Sequence, residues 1–443
     1  MPYIPHTDED RREMLATIGV GSIDDLFADI PDNLRLKTQL NIPSALDEYR
    51  LYGHLFDLAH KNSSAANTVC FLGAGIYDRY IPATVGAVIS RGEFLTSYTP
   101  YQPELSQGYL QAIYEFQSMV AALYGMEVAN ASMYDGATAM AEAALMASTI
   151  NNRKKVVVSQ SVHPNYRAVL HTYCWSVGLN VEEISAPDGT TENYSKVDAD
   201  TACVIVQNPN FFGSLEDLER AREAARTTNA LFIVVADPIA CALLKPPGEY
   251  GADIVVGEGQ SLGIPMGMGG PLLGLFTCKS EHVRRIPGRI VGKTVDHDGR
   301  TGYVMTLRTR EQDIRREKAT SNICTNEALM GLAALVYMTA MGKNGMKRVA
   351  ETTVRNSRYA MAKLADTGCK IKFGGKVFGE FVLETPIDAT VVQVKLMQKG
   401  ILAGLPLGPF YPALQNCLLV AVTETRTREQ IDDYAVKLKE VLS

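Results

Sequence analysis

The sequence predicts an α/β fold, with a mostly parallel sheet in a large domain followed by a small C-terminal α+β domain. Short runs rich in β-branched residues recur between about residues 66 and 325. Helix-like stretches separate the earlier runs at a spacing of roughly 20–28 residues, as βαβ crossovers require. After residue 326 the elements become smaller and mix helices with isolated strands. These observations predict helices packed on both faces of the main sheet.

Residues 1–65 are predicted to form an N-terminal helical arm. Thr7 and Asp10 have the spacing of a capping box, and Gly19 suits the end of the helix that follows. Two further helix starts are predicted, at Ser22 and near Pro43-Ser44. The apolar content of this arm is modest, so we expect it to pack on something larger.

Residues 66–325 are predicted to form the large domain. Its strands read as continuous apolar runs rather than alternating ones, which indicates burial on both faces. The predicted strands are Lys155–Ser159, Val181–Ile184, Cys203–Gln207, Leu231–Ala236, Ile254–Val256 and Leu272–Thr277. The predicted helices among them are Ala137–Ser148, Pro164–Tyr173 and Leu215–Arg226.

Residues 326–443 are predicted to form the small domain. Its predicted helices are Glu327–Met341, Arg348–Leu364 and Ala389–Lys399, and its predicted strands are Val377–Leu383 and Leu418–Val422. A terminal helix is expected from Thr427, because Ile431, Tyr434, Leu438 and Leu442 recur on one helical face.

Composition excludes several classes of protein. The net charge of −6 and the absence of a basic cluster argue against a nucleic-acid binder. No apolar run approaches the roughly 18 residues that span a bilayer, and the acidic N-terminus does not resemble a leader for secretion or import. The eight cysteines lie far apart and form no metal knuckle or redox pair, so we expect free thiols in a reducing cytoplasm.

Two motif-like patterns are rejected. The stretch from Gly288 to Thr294 resembles a P-loop, but three residues separate its glycines where four are needed. His163 and His171 lie eight residues apart with no third ligand nearby, so we expect no metal site.

Four segments carry the functional signal. Residues 133–139 run through Gly136, Ala137 and Thr138 into a helix, whose N-terminal N–H groups suit an anion such as phosphate; a plain helix cap is the alternative. Asp237 follows a buried strand, at the edge where α/β sheets place ligands. Glycines in the turn 263–271 indicate a close backbone approach. The loop 98–108 is polar and aromatic, and it fits either a cleft or plain packing.

These segments together resemble an aminotransferase-like pyridoxal-phosphate-enzyme fold, with His163 after the strand that follows the phosphate-type loop. Nearly the whole chain is similar to the glycine decarboxylase P-protein family of the glycine cleavage system, and specifically to the first subunit of its split, two-chain form. The stretches that carry this similarity are YTPYQPELSQG (98–108), FLGAGIYDRYIP (71–82), QNPNFFGSLED (207–217), GIPMGMGGP (263–271) and REKATSNICTNEAL (316–329).

One position departs from the family's catalytic pattern. There, a lysine four residues before the Ile-Pro turn holds pyridoxal phosphate, whereas Gln260 occupies that place here. An amide cannot replace the amine as a nucleophile. We therefore expect Gly136, Ala137, Thr138, His163, Asp237 and Gln260 to line a degenerate pocket that binds no cofactor, and the isolated chain to be inactive.

The resemblance implies a function for the assembled complex. It implies a glycine dehydrogenase (decarboxylating), an oxidoreductase of amino-acid catabolism, in which a sister subunit carries pyridoxal phosphate and decarboxylates glycine. The aminomethyl group then passes to the lipoyl arm of the H-protein. The implied assembly is a heterotetramer of two such chains and two catalytic ones, to which Tyr98, Tyr101, Gln102 and Glu104 are expected to contribute across the interface.

Two alternatives remain open. The chain could be a self-contained pyridoxal-phosphate enzyme with a displaced lysine, Lys245 or Lys279. It could instead be a non-enzymatic scaffold that docks a lipoyl protein.

Overall fold

The computed structural model describes residues 5–64 and 68–443, and these divide into two compact units, Met1–Ser63 and Ser64–Ser443. The predicted boundary between residues 65 and 66 lies outside the described residues. The separate small domain predicted after residue 325 remains a prediction, since internal contacts group Ser64–Ser443 into a single unit.

The first unit contains two helices, α1 (Asp8–Ile18) and α2 (Glu48–Ala59). Thr7 and Asp10 form the predicted capping box, and Gly19 ends α1 in a left-handed conformation with φ of 88°. The helix expected at Ser22 is only a 3₁₀ turn, Asp24–Phe27. The helix expected near Pro43 begins later, because the Asp47 side chain caps its first turn.

The second unit begins its helices at residue 83. They are α3 (Ala83–Ile89), α4 (Gly92–Leu95), α5 (Gln107–Tyr124), α6 (Gly136–Asn151), α7 (Pro164–Ser176), α8 (Leu218–Thr227), α9 (Gln312–Arg315), α10 (Ala328–Ala365), α11 (Ala389–Met397) and α12 (Arg428–Leu442). Helix α10 spans the two helices predicted between 327 and 364, with non-helical backbone at Gly342 between them. None of the described helices is long and apolar enough to cross a lipid bilayer.

Fifteen strands are described in the same unit. They are β1 (Val69–Cys70), β2 (Val128–Ala129), β3 (Lys155–Ser159), β4 (Asn180–Ile184), β5 (Thr201–Asn208), β6 (Leu231–Ala236), β7 (Ile254–Glu258), β8 (Gly274–Cys278), β9 (Ile290–Val295), β10 (Thr301–Thr306), β11 (Lys370–Ile371), β12 (Glu380–Glu384), β13 (Ile401–Leu402), β14 (Leu405–Pro406) and β15 (Cys417–Ala421).

The main sheet has the order β2-β8-β7-β6-β5-β3-β4. Strands β4, β3, β5, β6 and β7 pair in parallel, whereas β8 is antiparallel to both of its neighbours. Residues Val156–Val158 and Ile233–Val234 are fully buried, as expected for strands covered on both faces. The parallel strands therefore end at one edge, which carries Asp237 and Glu258.

A second sheet of four antiparallel strands, β11-β12-β15-β14, forms after residue 369. Ile431, Tyr434 and Leu438 of α12 are fully buried in its core. Phe71 lies in this core too, and β1 pairs in parallel with β13. The chain before the main sheet thus packs with residues near the C-terminus, a contact that sequence spacing could not anticipate.

Candidate functional site

A cavity of about 40 Å³ lies at the edge of the main sheet where the parallel strands end. It is lined by Gly75, Tyr77, His163, Tyr166, Gln207, Val235, Ala236, Asp237, Glu258 and Ser261. Of the residues expected to form a degenerate pocket, only His163 and Asp237 line this cavity, and of the four segments that carried the functional signal only Asp237 does. The loops that follow the parallel strands meet here because those strands end at one edge of the sheet.

Glu258 occupies the position where the sequence suggested an anion. Its carboxylate accepts hydrogen bonds from the backbone N–H of Gly136 at 2.9 Å, Gln260 at 3.0 Å and Leu273 at 3.0 Å. Burial raises the pKa of Glu258 to about 7, although these N–H groups favour the ionised form. The chain therefore supplies its own carboxylate at the start of α6.

The Thr138 N–H in the first turn of α6 is also satisfied within the chain. Asp135 accepts a hydrogen bond from the Thr138 N–H at 2.8 Å, and the Thr138 hydroxyl in turn accepts one from the Asp135 N–H. Ala137 is half-buried beside them. A Cβ atom at Gly136 would lie 2.5 Å from the Tyr166 hydroxyl, so only glycine fits at this position without a shift.

Gln260 is buried and fully hydrogen-bonded. Its side-chain oxygen accepts from the Tyr77 N–H at 2.9 Å, and its side-chain nitrogen donates to the carbonyls of Tyr77 at 3.1 Å and Ile264 at 2.7 Å. The amide therefore joins the segment 71–82 to the turn 263–271. At the position where the family's catalytic pattern has a lysine, this chain therefore has a hydrogen-bonded amide and no amine.

His163 is the N-cap residue that precedes α7, and its hydrogen bonds fit the neutral tautomer with hydrogen on Nε2. Its Nε2 lies 2.8 Å from the Ala74 carbonyl, and its Nδ1 accepts from the Asn165 N–H at 3.1 Å. Burial lowers the pKa of His163 to about 4. The ring stacks on Tyr166 with 4.8 Å between centroids. His171 instead faces Glu183 at 3.2 Å with a half-exposed side chain.

Asp237 is hydrogen-bonded within the protein. Its carboxylate accepts from the Ala240 N–H at 2.8 Å, and its other oxygen lies 4.0 Å from the Arg79 guanidinium. Arg79 is more strongly engaged elsewhere, because it donates to Glu424 at 2.8 Å and to the Ser261 hydroxyl at 3.1 Å. Asp237 thus has protein partners of its own.

A buried network of charged side chains, not predicted from the sequence, adjoins the cavity through Tyr77. Glu380 accepts from the Ala74 N–H at 2.7 Å and from the Tyr77 hydroxyl at 2.8 Å, and burial raises its pKa to about 7. Together with Arg79 and Glu424 it connects the segment 71–82 to β12 and to the loop after β15. No local signal could have found these pairs, since their partners are more than 300 residues apart in sequence.

The loop 98–108 does not line this cavity. Tyr101 is half-buried; its hydroxyl donates to the Asn326 side chain at 2.6 Å, and the Arg289 guanidinium lies 4.1 Å from its ring centroid. Tyr98 is 83% exposed, and Gln102 and Glu104 are exposed as well. These side chains are therefore free to meet something outside the chain.

Neither alternative lysine reaches the cavity. Lys245 is exposed, with its ammonium 4.1 Å from the ring centroid of Tyr250. Lys279 pairs with Asp253 at 2.5 Å, beside the starting end of β7 rather than the end that carries Glu258. The P-loop-like stretch 288–294 enters the β9–β10 hairpin and precedes no helix, as its rejection implied.

Comparisons with known proteins agree over the full length of the chain. The family model described as glycine cleavage system P-protein matches residues 1–438. Proteins named probable glycine dehydrogenase (decarboxylating) subunit 1 are similar: that of Desulforamulus reducens is 51% identical over 99% of both chains, and that of Thermotoga maritima is 50% identical over 99% of both.

Solved structures extend the comparison to the fold. A crystal structure of glycine decarboxylase (P-protein) of the glycine cleavage system, in inhibitor-bound form, has a TM-score of 0.92, 45% identity and full coverage of both chains. An alanine–glyoxylate aminotransferase from Nostoc sp. has a TM-score of 0.60 at 17% identity, over 94% of this chain and 100% of its own, which shows the aminotransferase-like fold alone. The chain belongs to the glycine cleavage system P-protein family.

Proposed function

We propose that this chain is the non-cofactor-bearing subunit of a glycine dehydrogenase (decarboxylating), and that a sister subunit carries pyridoxal phosphate. Similarity to proteins named subunit 1 over 99% of both chains supports a partner subunit. The hydrogen bonding of Gln260 carries the proposal that the cofactor lies elsewhere, since this side chain has no amine and its amide is fully engaged.

The residues present do not fit pyridoxal phosphate. The Glu258 carboxylate already accepts from the Gly136 N–H, so a phosphate at the start of α6 would meet a carboxylate in a buried site. The cavity of about 40 Å³ is also far smaller than the roughly 300–1,000 Å³ of ordinary ligand pockets. Gly136, Ala137, Thr138, His163, Asp237 and Gln260 are thus proposed as a pocket that the protein has filled itself.

The complex, rather than this chain, would then perform the chemistry. We propose a heterotetramer of two such chains and two catalytic ones, with glycine as substrate and a lipoyl H-protein as acceptor. The eight cysteines are all free, which supports a reducing, cytoplasmic setting. Tyr98, Tyr101, Gln102 and Glu104 are proposed to act at the partner's active site.

The experiment is purification of the chain with and without its lysine-bearing sister. We expect the chain alone to be colourless and to exchange no label between bicarbonate and glycine, whereas the co-purified complex does both. An isolated chain that binds pyridoxal phosphate, with near-visible absorbance, and exchanges label would contradict the proposal. Failure of the two chains to co-purify would contradict the proposed assembly.

The apolar side chains of the N-terminal unit support the proposal that a partner covers this unit. This unit buries none of the residues in α1 or α2 by itself, and it leaves many of its own large apolar side chains uncovered, including Leu36 at 69% exposed and Ile42 at 71%. Apolar exposure on this scale is typical of interaction sites.

Two aspartate substitutions test that surface. Leu36→Asp and Ile42→Asp should reduce recovery of the sister chain in co-purification, because each places a charge against an apolar partner. Val436→Asp is the matched control, since Val436 is 59% exposed on α12 outside this unit. Equal recovery with all three variants would show that the arm does not bind the sister chain.

A further inference from the structure

A second cavity, of about 350 Å³, lies among the loops that follow β8 and β10. Its lining is strongly cationic and contains no carboxylate. It consists of Arg284, Arg285, Leu307, Thr309, Arg310, Arg315, Lys318 and Thr320. Five positive charges and two hydroxyls around one volume form a donor-rich surface, and arginine forks in particular match the oxygens of phosphate.

Arg310 is the buried part of this lining, with only 7% of its surface exposed. Its Nη1 donates to the Ile286 carbonyl, but its Nε and Nη2 have no hydrogen-bond partner among the described residues. Buried polar groups are almost always paired, and a buried charge without a partner is strongly destabilising. Two donors of this guanidinium are therefore left without an acceptor at the cavity.

The nearby acidic groups compensate only part of the positive charge, since Glu311 is the one carboxylate that acts on Arg310. Glu311 lies 3.6 Å from Arg289, and Asp313 pairs with Arg308, neither of which lines the cavity. Within the lining, the Arg315 Nε donates to the Thr309 carbonyl at 3.1 Å, which anchors that side chain at the cavity. The lining thus keeps an excess of positive charge.

This cavity is separate from the candidate site described above. The two share no lining residue. Cys278, which precedes Arg284 by six residues, pairs with Ile254 at the start of β7, whereas Glu258 at the end of β7 belongs to the first cavity. The cationic lining is therefore not part of the filled pocket.

We propose that the cationic cavity binds a small tetrahedral oxyanion, either free phosphate or the phosphate group of a small molecule. Arg310 supplies two donors from the buried side, and Arg315 and Lys318 hold the anion from the exposed side. Its volume leaves room for an organic group attached to the phosphate.

The test is calorimetric titration of the full chain with inorganic phosphate, at constant ionic strength maintained with chloride. We expect saturable binding that Arg315→Gln and Lys318→Gln each weaken by at least about tenfold. Both side chains are exposed, so their loss should leave the fold intact. Arg316→Gln removes the same charge from the same loop without touching the lining, and it should bind like the unmodified chain.

A parallel titration with glycerol phosphate separates the two sources. Tighter binding of the ester identifies a phosphorylated small molecule, and tighter binding of inorganic phosphate identifies the free ion. The proposal is overturned if the unmodified chain shows no saturable binding of either probe, or if Arg316→Gln weakens binding as much as Arg315→Gln does.

Discussion

The carboxylate of Glu258 accepts a hydrogen bond of 2.9 Å from the backbone N–H of Gly136, at the N-terminus of α6. A helix N-terminus carries partial positive charge and attracts anions. Here the anion is a side chain from the end of the neighbouring strand β7. The partial positive charge at the start of α6 is therefore balanced by a carboxylate of the same chain.

Enlarging Gly136 tests how tightly this arrangement is packed. Gly136→Ala should lower the free energy of unfolding by about 1–3 kcal/mol, as overpacking does, because the new Cβ atom would lie 2.5 Å from the Tyr166 hydroxyl and 3.0 Å from the Glu258 nitrogen. The control is Gly86→Ala in α3, where no atom lies within 4 Å of the added carbon. Denaturant unfolding measures both; equal stability of the two variants would contradict the predicted clash.

Restoring the family's lysine should not restore activity. We expect Gln260→Lys to leave the isolated chain unable to exchange label between bicarbonate and glycine, because a reactive geometry must be held to about half an ångström by its surroundings. Robust exchange by this single variant would refute the prediction.

The same position can be tested through stability. Gln260→Met keeps a similar volume but removes the hydrogen bonds to Tyr77 and Ile264, so it should lower the free energy of unfolding by about 1–3 kcal/mol. Gln111→Met, at an exposed position of α5, should change it by less than about 0.5 kcal/mol. A Gln260→Met chain as stable as the control would mean that the hydrogen bonds of Gln260 contribute nothing to the free energy of unfolding.

The burial of Glu142 predicts that the free energy of unfolding falls as the pH rises. Burial raises the pKa of this α6 carboxyl from 4.5 to about 7, so between these values the folded chain binds more protons than the unfolded chain. The stabilisation is therefore present below about pH 4.5 and is lost as pH rises through 7, by roughly 3 kcal/mol. Glu142→Gln should make this fall smaller without abolishing it, because burial raises the pKa values of Glu258 and Glu380 to about 7 as well. Glu115→Gln, at an exposed site, should leave the profile unchanged.

The loop 98–108 is predicted to act across the subunit interface. In an intact complex, Tyr98→Phe or Tyr101→Phe should reduce glycine–bicarbonate exchange at least about tenfold, which corresponds to about 1.4 kcal/mol of barrier. Tyr98 is the cleaner probe, since the Tyr101 hydroxyl also bonds to Asn326. Unchanged rates for both variants, in complexes of normal composition, would leave the loop with a packing role only.

The regular part of the fold could be predicted because its signals are local. Strands such as β3 and β6 are continuous apolar runs, and the α12 helix begins at the Thr427 cap that its sequence indicates. The β9–β10 hairpin was not predicted, because only Ile290 and Val291 of β9 are buried and β10 is mostly half-buried, so neither strand is a continuous apolar run. The sequence pattern predicted two separate helices, whereas the structure has one long α10 with non-helical backbone at Gly342.

The candidate site was predictable only where residues follow strands. Asp237 and Glu258 both lie at the ends of parallel strands, so the signal that identified Asp237 was also available for Glu258 and was overlooked. Glu380 and Arg79 could not be found in that way. Their roles depend on tertiary contacts between the segment 71–82 and residues more than 270 positions away.

The tie between Gln260 and Tyr77 also constrains how this chain can change over generations. A mutation that placed an amine at position 260 would remove the acceptor for the Tyr77 N–H. A lysine at this position is therefore expected to come with the loss of a buried hydrogen bond, which a second substitution would have to replace.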